Sequence, residues 1–305
     1  MKRATALIVG MVAVLSLPLA AGRPAASQGG VAISVGSVSL KPKEEMEKFQ
    51  PFADFLASRL RGAGVVRGRA VVAPSMTRMA DLIRRGEVDL YIDSPFPVIR
   101  VSALSGAKPF LRRWKKGVAE YHSVLFVRKD GDIEQVRDLR GKMVAFENDY
   151  STSGFLLPKG LLMKAGLAVA ELVDENALVP PDRVGYVFSY DDENTMLWVL
   201  RRKVAAGATD ADNMKELAAG RIGDLKIVLR SPGVPRHVVA HRPTMPPALV
   251  AAVEEALMGL ERDAEGRAAL KKFQSTARFD RFPQGPEEAL RPVRDLMGFV
   301  GAGLK

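Results

Sequence analysis

Past residue 30, short apolar runs rich in β-branched residues take turns with longer segments in which apolar residues recur at helical spacing. "VAISVGSVSL" (31–40), "GRAVVAP" (68–74) and "VDLYID" (88–93) read as strands. Between them, "MEKFQPFADFLASRL" (46–60) and "MTRMADLIRRG" (76–86) read as helices, the second stopped by Gly86. The alternation continues through strands at 121–129, 142–147, 183–189 and 225–231, with helices after Ser153 and at 193–203. This order predicts an α/β chain whose parallel sheets are covered by helices. From Pro246 onward no strand is legible, and helices are expected at 247–260, 263–274 and 286–299, packed around an α/β lobe.

Composition adds size and compartment to that picture. At 305 residues, 47% hydrophobic and 26% charged, the chain is long enough for two packed lobes and is neither fibrous nor disordered. Met1-Lys2-Arg3, an apolar stretch from Ala4 to Ala20 and the small residues of "AAGRPAAS" follow the order of a secretory leader, expected over residues 1–26. A membrane anchor is the competing reading, but the apolar core falls short of the ~20 residues that span a bilayer and Pro18 sits near its end. With no cysteine, the exported part has neither a disulfide nor thiolate chemistry available and is held by its core alone. The formal charge of +10 suits small anions, nucleic acid and membrane surfaces alike. The doublets Arg84-Arg85, Arg112-Arg113, Lys115-Lys116, Arg201-Arg202 and Lys271-Lys272 sit mostly on or beside predicted helices and read as solvated surface, not as a nucleic-acid groove.

One stretch carries more chemistry than its secondary structure needs. In "NDYSTSGFLLPKGLLMKAG" (148–166), Ser151, Thr152, Ser153 and Gly154 stand directly before a helix, where one side-chain oxygen would suffice to cap it. A helix start also presents free N–H groups and the positive end of its dipole, and three hydroxyls beside it can wrap a tetrahedral oxyanion. Gly154 would let such a ligand approach the backbone. On these residues alone, cap and anion site both stay open.

Catalytic and metal alternatives find little support. There is no phosphate-binding G-x-x-x-x-G-K-[ST] loop, and "GAGVVRG" (62–68) only approximates a dinucleotide fingerprint. His237 and His241 lie four apart in a predicted strand, which separates them by ~13 Å and forbids a shared ion. His122 has no nucleophile elbow nearby, and the carboxylates of "DDEN" (191–194) read as helix caps. No cofactor, metal or catalytic residue is expected.

"RKDGDIEQVRDLRGKMVAFENDYSTSGFLLPKGLLMKAG" resembles the matching stretch of the phosphonate and phosphite solute-binding proteins of ABC importers, in which a strand runs into an STSG turn. More loosely, "FQPFADFLASRL", "MADLIRRGEVDL" and "VLRSPGVPRHVV" resemble other parts of that family. The resemblance implies a two-lobed type II periplasmic binding protein, with Ser151, Thr152 and Ser153 as ligands of the oxyanion. It also implies departures. Family aromatic positions fall on Met76 and Val98, with Asp93 in the same loop; a Ser-His pair falls on Ser189-Tyr190, so that Tyr190 keeps a donor; an acid falls on Asp212; and an acid after the crossing proline falls on His237, beside Arg236. The oxyanion end is thus expected to be retained and the opposite end altered, which favours phosphite, a small phosphonate or phosphate over an aminophosphonate.

The combined expectation is a monomeric, non-enzymatic periplasmic protein with lobe one at 27–127 and 232–305 and lobe two at 128–231. The chain would cross near Phe126 to Lys129 and return near Arg230 to Arg236, with the C-terminal helices completing lobe one. Asp93, Ser94 and His237 would face the hydroxyl cluster across the cleft. The partners are a small oxyanion and an ABC permease, with no nucleic acid; a periplasmic sensor feeding a membrane receptor or kinase is the alternative, because both use closure as the signal.

Overall fold

The computed structural model describes residues 30–301, so the expected leader at 1–26 lies outside the described residues. The first lobe opens with β1 (Val31–Val38), α1 (Pro42–Arg59), β2 (Val65–Ala73), α2 (Met76–Arg84), β3 (Leu90–Asp93), α3 (Pro95–Ser105) and β4 (Lys108–Arg113). The chain then passes through β5 (Glu120–Tyr121) into β6 (Ser123–Arg128) and β7 (Met143–Phe146). The second lobe continues with α4 (Leu157–Lys164), β8 (Ala168–Glu171), β9 (Arg183–Phe188), α5 (Asp192–Leu200), β10 (Ala206–Asp210), α6 (Ala211–Leu217) and β11 (Leu225–Arg230). It returns through β12 (Val234–Pro235) to β13 (His237–His241), α7 (Pro247–Gly259), α8 (Ala264–Lys272), β14 (Phe279–Arg281) and α9 (Gly285–Val300).

Two six-stranded sheets result, in the orders β14-β4-β13-β3-β1-β2 and β11-β6-β10-β7-β9-β8, joined by the short β5-β12 pair. The sheets are mixed, not parallel throughout. In the first, β1 runs parallel to β2 and β3, but β13 enters between β3 and β4 and is antiparallel to both, with Val239 opposite Ile92 and Leu111. In the second, β10 runs parallel to β7 but antiparallel to β6. A strand supplied by a chain returning from the other lobe enters from the opposite end, which reverses its direction.

Several expectations shift. β6 pairs inside the second sheet, so the first crossing lies upstream of Phe126 to Lys129 and the second lobe starts near Ser123. β14 is a strand after Pro246, pairing with β4. β4 itself was hidden by its arginines: Arg112 is buried by ion pairing to Asp280, and Arg113 is sealed under α8 by bonds to Thr276 Oγ1 (2.9 Å) and the Phe273 carbonyl (2.8 Å). α3 was hidden by Pro95 and Pro97, which stand in its first turn, where a missing N–H costs nothing. The C-terminal helices also divide. α7 and α8 pack on α1, where Phe52 stacks on Phe273 at 3.9 Å between centroids, whereas α9 lies against both α3 and α4. At that second contact Gly160 of α4 is required, since a Cβ there would sit 2.9 Å from Leu296 Cβ.

Among the described residues no helix is long and apolar enough to cross a membrane, and no group of three or more His, Asp or Glu is placed to hold a metal ion.

Candidate functional site

Strand β7 ends at Phe146 in the middle of the second sheet, and the loop that follows delivers Ser151 to the start of a helix. Ser151 Oγ accepts from Gly154 N at 2.9 Å, so the first of the three hydroxyls is indeed the cap. The first turn, Thr152–Leu156, is a wide π turn in which Leu156 N donates to Ser151 O at 3.0 Å. Gly154 is packed on one side: a Cβ would lie 2.6 Å from Glu147 Cβ and 3.0 Å from Glu147 Oε2.

The other two hydroxyl residues do different things. Thr152 Oγ1 donates to Ser94 Oγ and accepts from Phe96 N, both at 2.9 Å, and so reaches the other lobe. Ser153 presents its hydroxyl toward Tyr121, while its carbonyl accepts from Ser123 Oγ at 2.6 Å. Burial pushes the Tyr121 phenol up to about 12, so it remains a hydrogen-bond donor at neutral pH.

These groups line a cavity of about 240 Å³ between the lobes. Of the residues expected at the site, Ser151, Thr152, Ser153, Asp93, Ser94 and His237 are brought together there. Three are not. Met76, on α2, is buried in an apolar cluster and does not line the cavity. Tyr190 adopts φ 61° in the turn before α5 and stays mostly exposed, its ring near Phe188. Asp212 faces solvent on α6 and pairs with Lys215 at 3.5 Å.

The acid that reaches the cavity from that segment is Asp210, two residues earlier. It caps α6 by accepting from Asp212 N (3.0 Å) and Asn213 N (2.9 Å), and its other oxygen lies 3.2 Å from Arg236 Nη2. Arg236, buried, also lies over the Tyr121 ring, 4.3 Å from its centroid. Local sequence signals favoured neither choice, because "TDADN" offers an acid on both sides of Ala211. Asp192 of "DDEN" likewise lines the cavity, accepting from Thr209 Oγ1 (2.7 Å) and Asn213 Nδ2 (2.8 Å), while its neighbour Asp191 does the capping.

Carboxylates are numerous in this wall, but burial changes what they can do. Asp93 is pushed up to about 6 by burial, with Glu45 adding to the effect, against the bonds it accepts from Ser94 N, Tyr91 and Val38 N. Glu147 is pushed up to about 8, chiefly by burial and then by the carboxylate of Asp192, whose own value is raised by its burial. A protonated carboxyl is a donor, so Glu147, mostly protonated at neutral pH, can hydrogen-bond an oxyanion instead of repelling it, whereas Asp93 is mostly ionised there. His237 is driven well below the usual histidine range by burial and by Lys115, Arg113 and Arg236, which keeps it neutral; its Nδ1 is buried without a partner among the described residues. The arrangement offers hydroxyls, a helix start, a phenol and the protonated Glu147 converging on one small space, with no nucleophile and base in contact among the described residues.

A model of the family described as the periplasmic substrate-binding protein of ABC phosphonate transporters matches residues 36–283. Among solved structures, the chain is similar to XAC2383 from Xanthomonas citri bound to chloride ion, at 27% identity and a TM-score of 0.82, covering 88% of this chain and 98% of that one. The same protein bound to ATP matches at 26% identity and a TM-score of 0.81, with the same coverage. PhnD1 from Prochlorococcus marinus in complex with methylphosphonate matches at 15% identity and a TM-score of 0.66, covering 88% of this chain and 98% of that one, and shares the fold.

Proposed function

We propose, from the premise that this chain belongs to the periplasmic substrate-binding proteins of ABC phosphonate transporters, that it captures a small phosphorus oxyanion between its lobes and delivers it to an importer in the membrane. Proteins of this family bind solute without transforming it, and membership implies export and a permease partner. The ligand class is a phosphonate, phosphite or phosphate.

The observation that carries this reading is the turn at Ser151–Ser153, whose hydroxyls and helix start border the interlobe cavity together with Ser94, Tyr121 and His237. Hydrogen bonds to a charged group contribute ~1.5–3 kcal/mol each, so a few such donors suffice for selective capture. Size supports a small solute: about 240 Å³ is below the ~300–1,000 Å³ of pockets that take drug-sized molecules. Chloride and ATP, bound by the similar Xanthomonas protein, are both anions. On the first-lobe side, Glu45 and Asp93 leave room for a ligand bearing a donor as well as an oxyanion.

Calorimetry against phosphite, methylphosphonate, aminoethylphosphonate, phosphate and sulfate tests the proposal. Saturable binding of at least one of the four phosphorus compounds, tighter than that of sulfate, is expected. Binding of none of the four would end it.

A further inference from the structure

The basic doublet Lys115-Lys116 reads in the sequence as solvated surface, and the structure splits it. Lys116 is exposed and reaches α6 of the other lobe, with Nζ 2.9 Å from Asn213 Oδ1 and 2.6 Å from Glu216 Oε2. Lys115 lines the interlobe cavity and is only partly accessible. Between them the chain kinks: Lys116 adopts φ 54°, ψ 29°, the left-handed region that residues with a side chain seldom occupy and that clusters at functional sites.

Of the three cations that line the cavity, two are already matched. Lys48 lies 3.6 Å from Glu45, and Arg236 lies 3.2 Å from Asp210. Lys115 Nζ has no hydrogen bond and no carboxylate within ion-pair distance among the described residues. The charged and titratable groups that face it are Arg113 on β4, Arg236 and His237 at β13, Glu45 on α1, Asp93 at the end of β3 and Glu147 after β7. Arg113 bonds only the neutral acceptors Thr276, Phe273 and Gln274, keeps Nη1 buried without a partner among the described residues, and does not line the cavity; His237 is neutral, and Glu147, pushed up to about 8, is mostly protonated at neutral pH. An ammonium partly withdrawn from water, with two guanidinium groups near enough to oppose its charge, is costly unless an anion joins it.

We propose that Lys115 is the cationic contact of the bound oxyanion, reading its charge as the Ser151–Ser153 turn reads its shape. The inference rests on the oxyanion reading above and adds the residue that supplies the charge. In the free protein, burial first, then Arg236 and Arg113, hold Lys115 down to about 7, so above that pH it is largely neutral. An anion beside it restores the proton, and ligand binding therefore consumes protons on the alkaline side of 7.

Calorimetry with methylphosphonate at pH 9, in two buffers of different ionisation heat, measures that uptake directly. The wild-type protein is expected to take up a substantial fraction of one proton per ligand bound, and Glu147→Gln to keep most of it. Lys115→Met is expected to lose most of the uptake and to bind roughly tenfold or more weakly, as for the loss of a charged hydrogen bond. Lys115→Arg, whose guanidinium stays charged at every accessible pH, is expected to bind without this uptake. Wild-type binding with no proton uptake would overturn the proposal while leaving the oxyanion reading intact, as would Lys115→Met with wild-type affinity and uptake. Failure of the wild-type protein to bind any phosphorus oxyanion would instead remove the oxyanion reading on which the proposal rests.

Discussion

Thr152 Oγ1 on the second lobe donates to Ser94 Oγ on the first at 2.9 Å and accepts from Phe96 N at the same distance. One hydroxyl therefore joins the start of the helix after β7 to the start of α3 and closes one wall of the cavity. The Leu40 N–H, which donates to the Tyr150 hydroxyl at 3.3 Å, and the Lys41–Asp191 ion pair at 2.6 Å join the lobes elsewhere around the same mouth.

Thr152→Val keeps the shape and removes both bonds, leaving the Phe96 N–H without its acceptor. The expected penalty on the closed form is ~1–3 kcal/mol, or roughly 5- to 150-fold in ligand affinity. Calorimetry reads the affinity and small-angle scattering the opening. Unchanged values in both would show that the bridge does not govern closure.

Gly154→Ala places a methyl 2.6 Å from Glu147 Cβ and 2.9 Å from Ser151 Oγ. Neither neighbour can withdraw freely, because Ser151 is the helix cap and the backbone at Glu147 is fixed by the Glu147 N to Gly154 O bond at 3.0 Å. Destabilisation of ~1–3 kcal/mol is expected, together with weaker ligand binding. Gly62→Ala, where nothing lies within 4 Å of the added carbon, is the control and should melt close to wild type.

Asp210→Ala removes the cap of α6 and strands Arg236 in a buried position. Breaking a buried pair on one side costs ~3–5 kcal/mol, and denaturant melts should show a loss of this size. Asp210→Asn keeps an acceptor for the cap and should lose less. Equal stability in Asp210→Ala and wild type would mean that the pair is not buried in solution.

The parts of this molecule that follow local rules were legible in its sequence. The STSG turn announces itself through hydroxyls in excess of one cap, and the alternation of β1, α1, β2, α2 and β3 through apolar spacing. What sequence spacing hides is long-range compensation. Arg112 and Arg113 look like surface but are buried in β4 because Asp280, Thr276 and Phe273 arrive from far along the chain. Lys115 looks like its neighbour Lys116 until the kink between them divides cavity from solvent. Asp212 and Asp210 differ by two residues, and only the first turn of α6 decides which of them faces inward. Tyr190 loses its expected place to a left-handed turn. α9 is an amphipathic helix in the sequence, and nothing local reveals that it straddles both lobes.

The carboxyl of Glu147 gives a pH signature with a definite sign. Its value in the folded protein, pushed up to about 8, lies above the ~4.3 of an unfolded chain, so the fold binds more protons than the unfolded state between those limits. The fold is unpenalised by this group below the lower limit and loses stability as pH rises through the upper one. Glu147→Gln should therefore melt like wild type near pH 4 and at a higher temperature than wild type above pH 8. Asp192→Asn, by relieving the neighbouring charge, should move the wild-type transition toward lower pH. A melting difference that does not change with pH would place the Glu147 carboxyl in contact with water.

The central claim is that the turn at Ser151–Ser153 holds the ligand, and one titration tests it most directly: the tightest phosphorus oxyanion of the panel, titrated into wild type and into the double variant Ser151→Ala with Ser153→Ala. Two lost bonds to a charged group, at ~1.5–3 kcal/mol each, predict affinity lower by a factor of about 100 or more. A double variant that remains folded and binds with wild-type affinity would contradict the account.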